Sequence, residues 1–165
     1  MLKFTNDILI RPISLADNAA IANIIRRSLE EFGANHPGTV YFDEATDQQF
    51  EVYQTPGSCY NVVELDGRVI GGAGIYPTPG LEEDTCELVK MYLLPEGRRK
   101  GLGKKLIELC IEQARIFGYK NMFLESLPQL IQAILLYEKS GFTYLKGPLS
   151  KSGHTGCSIF MIKEI

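Results

Sequence analysis

The sequence is poor in several residues and patterns that mark large functional classes. It contains only two histidines, His36 and His154, and its four cysteines form no Cys-x-x-Cys pair, so we expect no metal ion. No apolar run is long enough to predict a membrane span, and we expect no membrane partner. The formal net charge of −3 argues against nucleic-acid binding, which usually requires a basic surface.

Signals for export are also missing from the sequence. The first residues are too few and too polar to form a signal peptide. Scattered cysteines in such a chain are typical of reduced thiols rather than a disulfide framework. We therefore expect a cytoplasmic protein.

The residues that are present predict a folded chain with an apolar core. Apolar residues make up 45% of the 165 residues and charged residues 22%, which is common in globular proteins. This length suits one domain with a sizeable core, so we predict a single domain over residues 1–165.

One stretch, residues 85–114, combines three signals that favour anion binding. Residues 85–94 are apolar and β-prone, residues 95–100 form a turn rich in arginine and lysine, and residues 101–114 have the apolar spacing of a helix. A helix N-terminus offers unpaired N–H groups and a positive dipole end, and glycines let a ligand approach the backbone. We expect a phosphate-bearing ligand at this junction.

The remaining periodicity predicts the element order β-α-α-β-β-β-α-β-α-β-β. Asp66-Gly67 between two apolar runs indicates a hairpin, and Gly71, Gly72 and Gly74 indicate a bulge or a close approach by another backbone or a ligand. The motifs Ser14-x-x-Asp17 and Ser126-x-x-Gln129 are typical of helix starts. The predicted strands cover 8–13, 59–65, 68–76, 85–94, 121–125, 142–145 and 157–163, and the predicted helices cover 16–32, 42–53, 102–117 and a segment after Ser126 that ends at 140. Strands linked through helices should run parallel and hairpin strands antiparallel, which indicates an α/β chain with a mixed sheet.

Several of these motifs together resemble one enzyme family. Arg98-x-x-Gly101-x-Gly103 is similar to the acyl-CoA signature of the GCN5-related N-acetyltransferases, the GNAT family. The similarity extends in order along roughly the whole chain, through Ile10-Arg11-Pro12 with Asp17, Met91-Tyr92-Leu93-Leu94-Pro95, Leu124-Glu125 and Ala133-x-x-Leu136-Tyr137-Glu138-Lys139-x-Gly141-Phe142. Arg99-Lys100 departs slightly from the family pattern, in which Arg-Gly or Gly-Lys is common.

The resemblance implies a fold and a co-substrate. The fold would be a mixed, mostly antiparallel sheet with a splayed parallel central pair, flanked by helices. Acetyl-CoA would be the co-substrate, with its pyrophosphate on backbone N–H groups from Arg99 to Lys104 and its pantetheine arm along the backbone before the turn. The residues implied in coenzyme A binding are Met91, Tyr92, Leu93, Arg98, Arg99, Lys100, Gly101, Leu102, Gly103 and Lys104.

The resemblance also implies two catalytic side chains. Glu87 lies where histone-type relatives have the glutamate that removes the acceptor's proton, with Glu125 as a competitor for this role. Glu87 could instead be ion-paired with Lys90 or Arg11. Tyr137 would protonate the departing thiolate, although its position on the apolar stripe of a helix also fits a core tyrosine.

The acceptor of the acetyl group is the part of the predicted reaction that the sequence defines least. His36, Phe42, Glu125 and His154 are candidates for the acceptor site, although isolated histidines are often ordinary surface residues. We expect N-acetylation of a primary amine, of a small molecule, by direct attack in a ternary complex. A protein lysine or N-terminal acetyltransferase and a non-catalytic acyl-CoA sensor remain alternatives, as do an O-acceptor and a longer acyl donor. A terminal strand that ends at the C-terminus would allow a homodimer.

Overall fold

The structure is a computed structural model that describes residues 1–5 and 7–165. Within these residues the strands form one eight-stranded mixed sheet in the order β1-β2-β3-β4-β5-β6-β8-β7. The strands are β1 (Leu2–Lys3), β2 (Ile8–Pro12), β3 (Cys59–Leu65), β4 (Arg68–Tyr76), β5 (Thr85–Leu93), β6 (Asn121–Ser126), β7 (Thr143–Tyr144) and β8 (Ile159–Glu164). Apart from the short β1, they match the predicted strands to within a few residues.

Helices cover the sheet and fill its core. The α-helices are α1 (Asn18–Glu31), α2 (Gln49–Val52), α3 (Leu102–Ile116) and α4 (Ile131–Lys139), with 3-10 turns at Leu15–Asp17, Val40–Phe42, Glu44–Asp47 and Pro95–Gly97. Both α1 and α3 pack on the central strands β4 and β5. The helix that the apolar spacing of residues 101–114 predicts is confirmed as α3, in which Leu102, Leu106, Cys110 and Ala114 form a fully buried stripe. Burying a leucine side chain contributes about 1.5–3 kcal/mol, so this stripe fixes α3 against the sheet.

The predicted mixture of strand directions is confirmed. Asp66 and Gly67 both have positive φ, 51° and 77°, and close the β3–β4 hairpin. β5 and β6 run parallel, but their pairing extends only from Thr85 opposite Asn121 to Glu87 opposite Phe123. Beyond that point β5 has no paired residue in β6 within the described chain, because the two strands splay apart. The main-chain edge of β5 next to the splay is therefore open to a ligand.

A β-bulge lies in β5 beside the splay. Val89 pairs with Gly74 and Tyr92 with Gly72, so two β5 residues, Lys90 and Met91, stand opposite one residue of β4. Lys90 has φ of 49°, in the left-handed region that non-glycine residues occupy at a cost of about 1 kcal/mol or more.

The strand glycines make room for the residue that holds this bulge. The Tyr60 hydroxyl donates a hydrogen bond of 2.8 Å to the Lys90 carbonyl. A Cβ atom on Gly72 or Gly74 would lie 2.5–2.6 Å from the Tyr60 ring, which only glycine avoids. The predicted close approach of another backbone is also confirmed, because a Cβ on Gly71, Gly72 or Gly74 would collide with a main-chain carbonyl oxygen of a neighbouring strand.

Two predicted helix starts are wrong. Residues 42–53 do not form one helix, because Asp43 is extended at φ −68° and ψ 126° and only α2 is α-helical there. The Thr46 hydroxyl bonds to the Val40 carbonyl and stabilises the irregular turn. Ser126 is not a helix cap, because it is the last residue of β6 and pairs with Ile159, and α4 begins only at Ile131. None of the helices in the described part of the chain combines the length and apolarity that crossing a bilayer requires.

Candidate active site

A cavity of about 340 Å³ opens beside the splay between β5 and β6. Four of the predicted catalytic and acceptor residues, Glu87, Glu125, Tyr137 and His154, line it together with Met91 and Tyr92. Its other walls come from the segment 39–45, from Thr78 and Pro79 after β4, and from the segment 146–158 between β7 and β8. The volume lies in the range of small-molecule sites.

Two predicted acceptor-site residues are not among those that line this cavity. The His36 ring contacts its own loop, with Nδ1 3.2 Å from the Pro37 carbonyl oxygen and Cε1 close to Gly156. Phe42 is 61% exposed and packs edge-on against Tyr41. The expected acceptor roles of His36 and Phe42 therefore stay predictions, since neither residue is among those that line this cavity.

Glu87 is a buried carboxyl group in the cavity wall, with 5% of its surface exposed. Burial raises its pKa to about 7, and the Glu125 carboxylate adds to this, while the Thr78 hydroxyl and the Lys90 ammonium oppose it. No cation lies within 4 Å of Glu87 in the described chain, and Arg11 is bound instead to Asp17 and Glu64. Glu87 is therefore free to exchange a proton near neutral pH.

Glu125 is held differently from Glu87. Its two carboxylate oxygens each accept a 2.7 Å hydrogen bond, one from the Ser150 hydroxyl and one from the Ser152 hydroxyl. The His154 ring lies between two acids, with Nε2 2.8 Å from Asp43 Oδ2 and Nδ1 4.0 Å from Glu125 Oε2. This network ties the segment 146–158 across the cavity and leaves Glu125 less available than Glu87 to act as a base.

Tyr137 lies on the opposite side of the splay, on α4. Its side chain is 7% exposed and packs edge-on against Phe142, with ring centroids 6.0 Å apart. Its hydroxyl has no hydrogen-bond partner in the described chain, and burial raises its pKa well above the usual value for tyrosine. The phenol therefore stays protonated at physiological pH and remains free to donate a hydrogen bond into the cavity.

The predicted phosphate turn presents free backbone donors. No protein acceptor in residues 1–5 and 7–165 faces the N–H groups from Arg99 to Lys104; the first helical bond there is from Lys105 N–H to the Gly101 carbonyl. Gly101 has φ of 77° as the residue before α3. A Cβ on Gly103 would lie 2.7 Å from Leu136 Cδ2 and 3.2 Å from Met91 Cε. The free N–H groups form an N–H cradle at the position predicted for the pyrophosphate, and a side chain at Gly103 would collide with Leu136 and Met91.

The charges of this turn have different surroundings. Arg98 donates from Nε to the Leu93 carbonyl, forms two bonds of 2.6 and 2.7 Å to Glu31, and lies over the Phe32 ring. Arg98 therefore braces the turn instead of presenting a free charge. Arg99, Lys100 and the largely exposed Lys104 remain at the surface.

Sequence reasoning did not place several residues in this cavity: Asp43, Tyr53, Thr78, Lys90 and Lys151. Only Lys90 carried a usable signal, because a lysine within an otherwise apolar strand needs either a partner or a function. The others come from loops that meet only in the folded chain.

Comparison with known proteins agrees with this geometry. Residues 20–142 match the family model described as "Acetyltransferase (GNAT) family". The chain is 44% identical over 156 residues to an N-acetyltransferase of Escherichia coli, YjgM, covering 94% of this chain and 93% of the relative. It is 34% identical over 107 residues to human N-acetylaspartate synthetase, covering 64% of this chain but only 34% of that protein.

Among solved structures, the Salmonella typhimurium protein yncA with its cofactor acetyl-CoA superimposes with a TM-score of 0.74 and 26% identity, covering 96% of this chain and 94% of the other. The fold, the N–H cradle at the start of α3 and these similarities agree. The chain belongs to the GNAT family of N-acetyltransferases, which are acyltransferases of class EC 2.3.1.

Proposed function

We propose that this chain, as one domain over residues 1–165, transfers the acetyl group of acetyl-CoA to the primary amine of a small molecule by direct attack in a ternary complex. The observation that carries the proposal is Glu87. It is a buried carboxyl group without an ion-pair partner, its pKa lies near 7, and it shares a cavity with Tyr137 beside the open edge of β5.

The donor half of the reaction rests on the backbone. The free N–H groups from Arg99 to Lys104 bind the pyrophosphate, and the open edge of β5 at Met91, Tyr92 and Leu93 binds the pantetheine arm. A backbone N–H near Leu93 stabilises the negative charge that develops on the carbonyl oxygen during attack. Acetyl-CoA supplies the thioester.

The proton transfers are assigned to two side chains. A primary amine of an acceptor is largely protonated at neutral pH, because its pKa is near 10 for a lysine-like group. Glu87 removes that proton and releases it to solvent, and the neutral nitrogen then forms its bond to the carbonyl carbon. As the carbon–sulfur bond breaks, the nitrogen loses its second proton to the Glu87 carboxylate, and this proton replaces the one that Tyr137 loses. Tyr137 gives its proton to the departing thiolate.

The closure of the cavity supports a small acceptor. The segment 146–158 is tied down at both ends of the opening: Gly156 N–H donates to the Gly38 carbonyl at 2.9 Å, and Lys151 N–H donates to the Pro79 carbonyl at 2.6 Å. A protein lysine would need an open groove. The name of the human relative, N-acetylaspartate synthetase, also refers to a small product.

A panel of amines assayed for free thiol release from acetyl-CoA tests this function. We expect release with one or more small amines and little with peptides that present lysine or a free N-terminus. Turnover confined to peptides would replace the proposal with protein acetylation. Tight acetyl-CoA binding with no thiol release across the panel would favour the non-catalytic sensor.

A further inference from the structure

The proposed reaction gives no role to two cations of the cavity, the exposed Lys151 and Lys90. Lys90 is half-buried, and no carboxylate oxygen lies within 4.0 Å of its ammonium group in the described chain. Burial lowers its pKa, and the Asp43 and Glu87 carboxylates oppose that change, which places the ammonium group within the field of the cavity's acids. A buried cation without a direct partner is costly unless a ligand supplies the opposite charge.

The fold holds Lys90 in this position at a cost in backbone energy. It occupies the left-handed region at φ 49° as a residue of the bulge, and the Tyr60 hydroxyl binds its carbonyl. A glycine at this position would remove the backbone strain, and an apolar residue would remove the cost of burying a charge. Strained residues of this kind cluster at ligand sites, where the strain is part of the arrangement.

The acids around the cavity have other partners or another role. Asp43 contacts the His154 ring, and Glu125 accepts bonds from two serine hydroxyls. Glu87 faces the acceptor amine in the proposed reaction. None of the three is close enough to form an ion pair with Lys90, so its charge is available to a bound molecule.

A second residue of the cavity wall, Tyr53, supports the bulge through Tyr60. Tyr53 is 6% exposed, and its hydroxyl is buried without a hydrogen-bond partner in the described chain. Its ring packs on Tyr60, with centroids 4.9 Å apart, and Tyr60 is the residue that binds the Lys90 carbonyl. These contacts fix the backbone from which the Lys90 side chain extends.

We infer that the acceptor is an amino-acid-like molecule, whose amine faces Glu87 and whose carboxylate is bound by Lys90. This inference rests on the proposed function and names the class of its acceptor. A carboxylate accepts charge-assisted hydrogen bonds from the ammonium group and supplies the opposite charge that it lacks.

The test compares α-amino acids with their primary amides. Thiol release from acetyl-CoA is measured for each acid and its amide, and the acid-to-amide ratio of kcat/KM is the readout. We expect the wild-type protein to prefer the acid by about tenfold or more, since the neutral amide cannot pair with an ammonium group. Because the same substrate pair is used in every variant, differences in amine basicity cancel between variants.

Four variants locate the preference. Lys90→Met keeps the length of the side chain and should reduce the acid-to-amide ratio to the value expected when no cation binds the carboxylate. Lys90→Arg keeps the charge and should keep most of the preference for the acid. Tyr53→Phe removes a hydroxyl that is buried away from the ligand and should leave the ratio close to its wild-type value. Lys146→Met removes an exposed lysine of the neighbouring loop and should leave the ratio unchanged.

Each outcome separates this inference from the function beneath it. Equal activity on acids and amides in the wild type, or a Lys90→Met ratio equal to the wild-type ratio, overturns the carboxylate site while leaving amine acetylation standing. No thiol release with any amine overturns the proposed function itself. Acetyl-CoA affinity and the thermal unfolding midpoint of Lys90→Met establish that the variant is folded.

Discussion

The two sides of the proposed site are built from different parts of the chain. The proposed donor side is main chain: the open edge of β5 and the N–H groups at the start of α3, set by a short sequence motif. The acceptor side is made of side chains from separate loops, as in the contact of Asp43 with His154 across 111 residues of sequence.

This difference explains what each side is able to specify. Backbone groups bind features common to every acyl-CoA, so the donor side is readable from a family motif. Side chains on loops determine the acceptor, and such loops vary while the scaffold persists. The following substitutions separate the two sides, from the largest expected effect to the smallest.

The largest effect is expected at Glu87, where the two sides meet. Glu87→Gln should lower kcat by about 10²–10⁴-fold, the usual contribution of a general base. In the wild type, kcat/KM should fall as the pH drops below about 7, because Glu87 then takes up a proton, and this acid limb should be absent from the variant. Glu112→Gln on the exposed side of α3 serves as the control. An unchanged pH profile would assign the base role to another group or to water.

A change at Gly103 should damage the donor side alone. Gly103→Phe places a ring where even a Cβ meets Leu136. This overpacking should weaken acetyl-CoA binding by about 100-fold, a loss of roughly 3 kcal/mol of binding free energy. Titration calorimetry measures the affinity. Gly147→Phe is the matched control, because no atoms lie within 4 Å of a Cβ built at Gly147. Unaltered acetyl-CoA affinity would contradict the assignment of the cradle.

Tyr137 tests whether the donor side also contains a catalytic side chain. Tyr137→Phe should lower kcat by about tenfold or more and leave acetyl-CoA affinity within about twofold, because only the proton donor is lost. Tyr144→Phe removes a hydroxyl from an exposed tyrosine and is the control. Normal turnover in the Tyr137 variant would make this residue a core tyrosine and nothing more.

The smallest effect is expected on the acceptor side. His154→Asn should raise the acceptor KM by about fivefold, since it removes a partly exposed contact with Asp43 worth roughly 1 kcal/mol, and acetyl-CoA affinity should not change. His36→Asn should move neither value by more than about twofold, because the His36 ring is not among the groups that line the cavity. Equal effects of the two histidine variants would argue against the role of the 146–158 segment.

The same division governs what the sequence was able to predict. Local sequence signals predicted the Asp66-Gly67 hairpin, the helix α3 and the close approach at the glycines of β4. Each of these depends on neighbouring residues and backbone conformation alone. The helix predicted at 42–53 failed, since the extended backbone at Asp43 and the Thr46 bond to Val40 replaced it with short turns. The position of Lys90 in the cavity was not predicted. The face of a strand on which a side chain lies is inferred from the alternation of residues, and the bulge interrupts that alternation.

The burial of Glu87 also affects the stability of the protein. Its pKa is near 7 in the folded chain and near 4.5 in the unfolded chain, so the folded state favours the protonated form. The stability that this protonation contributes is complete below pH 4.5 and is lost as the pH rises through 7, up to about 3 kcal/mol. Glu87→Gln should therefore unfold at a higher temperature than the wild type at pH 8 and at nearly the same temperature at pH 5. The carboxyl group that makes the cavity reactive thus makes the unliganded protein easier to unfold in mild alkali.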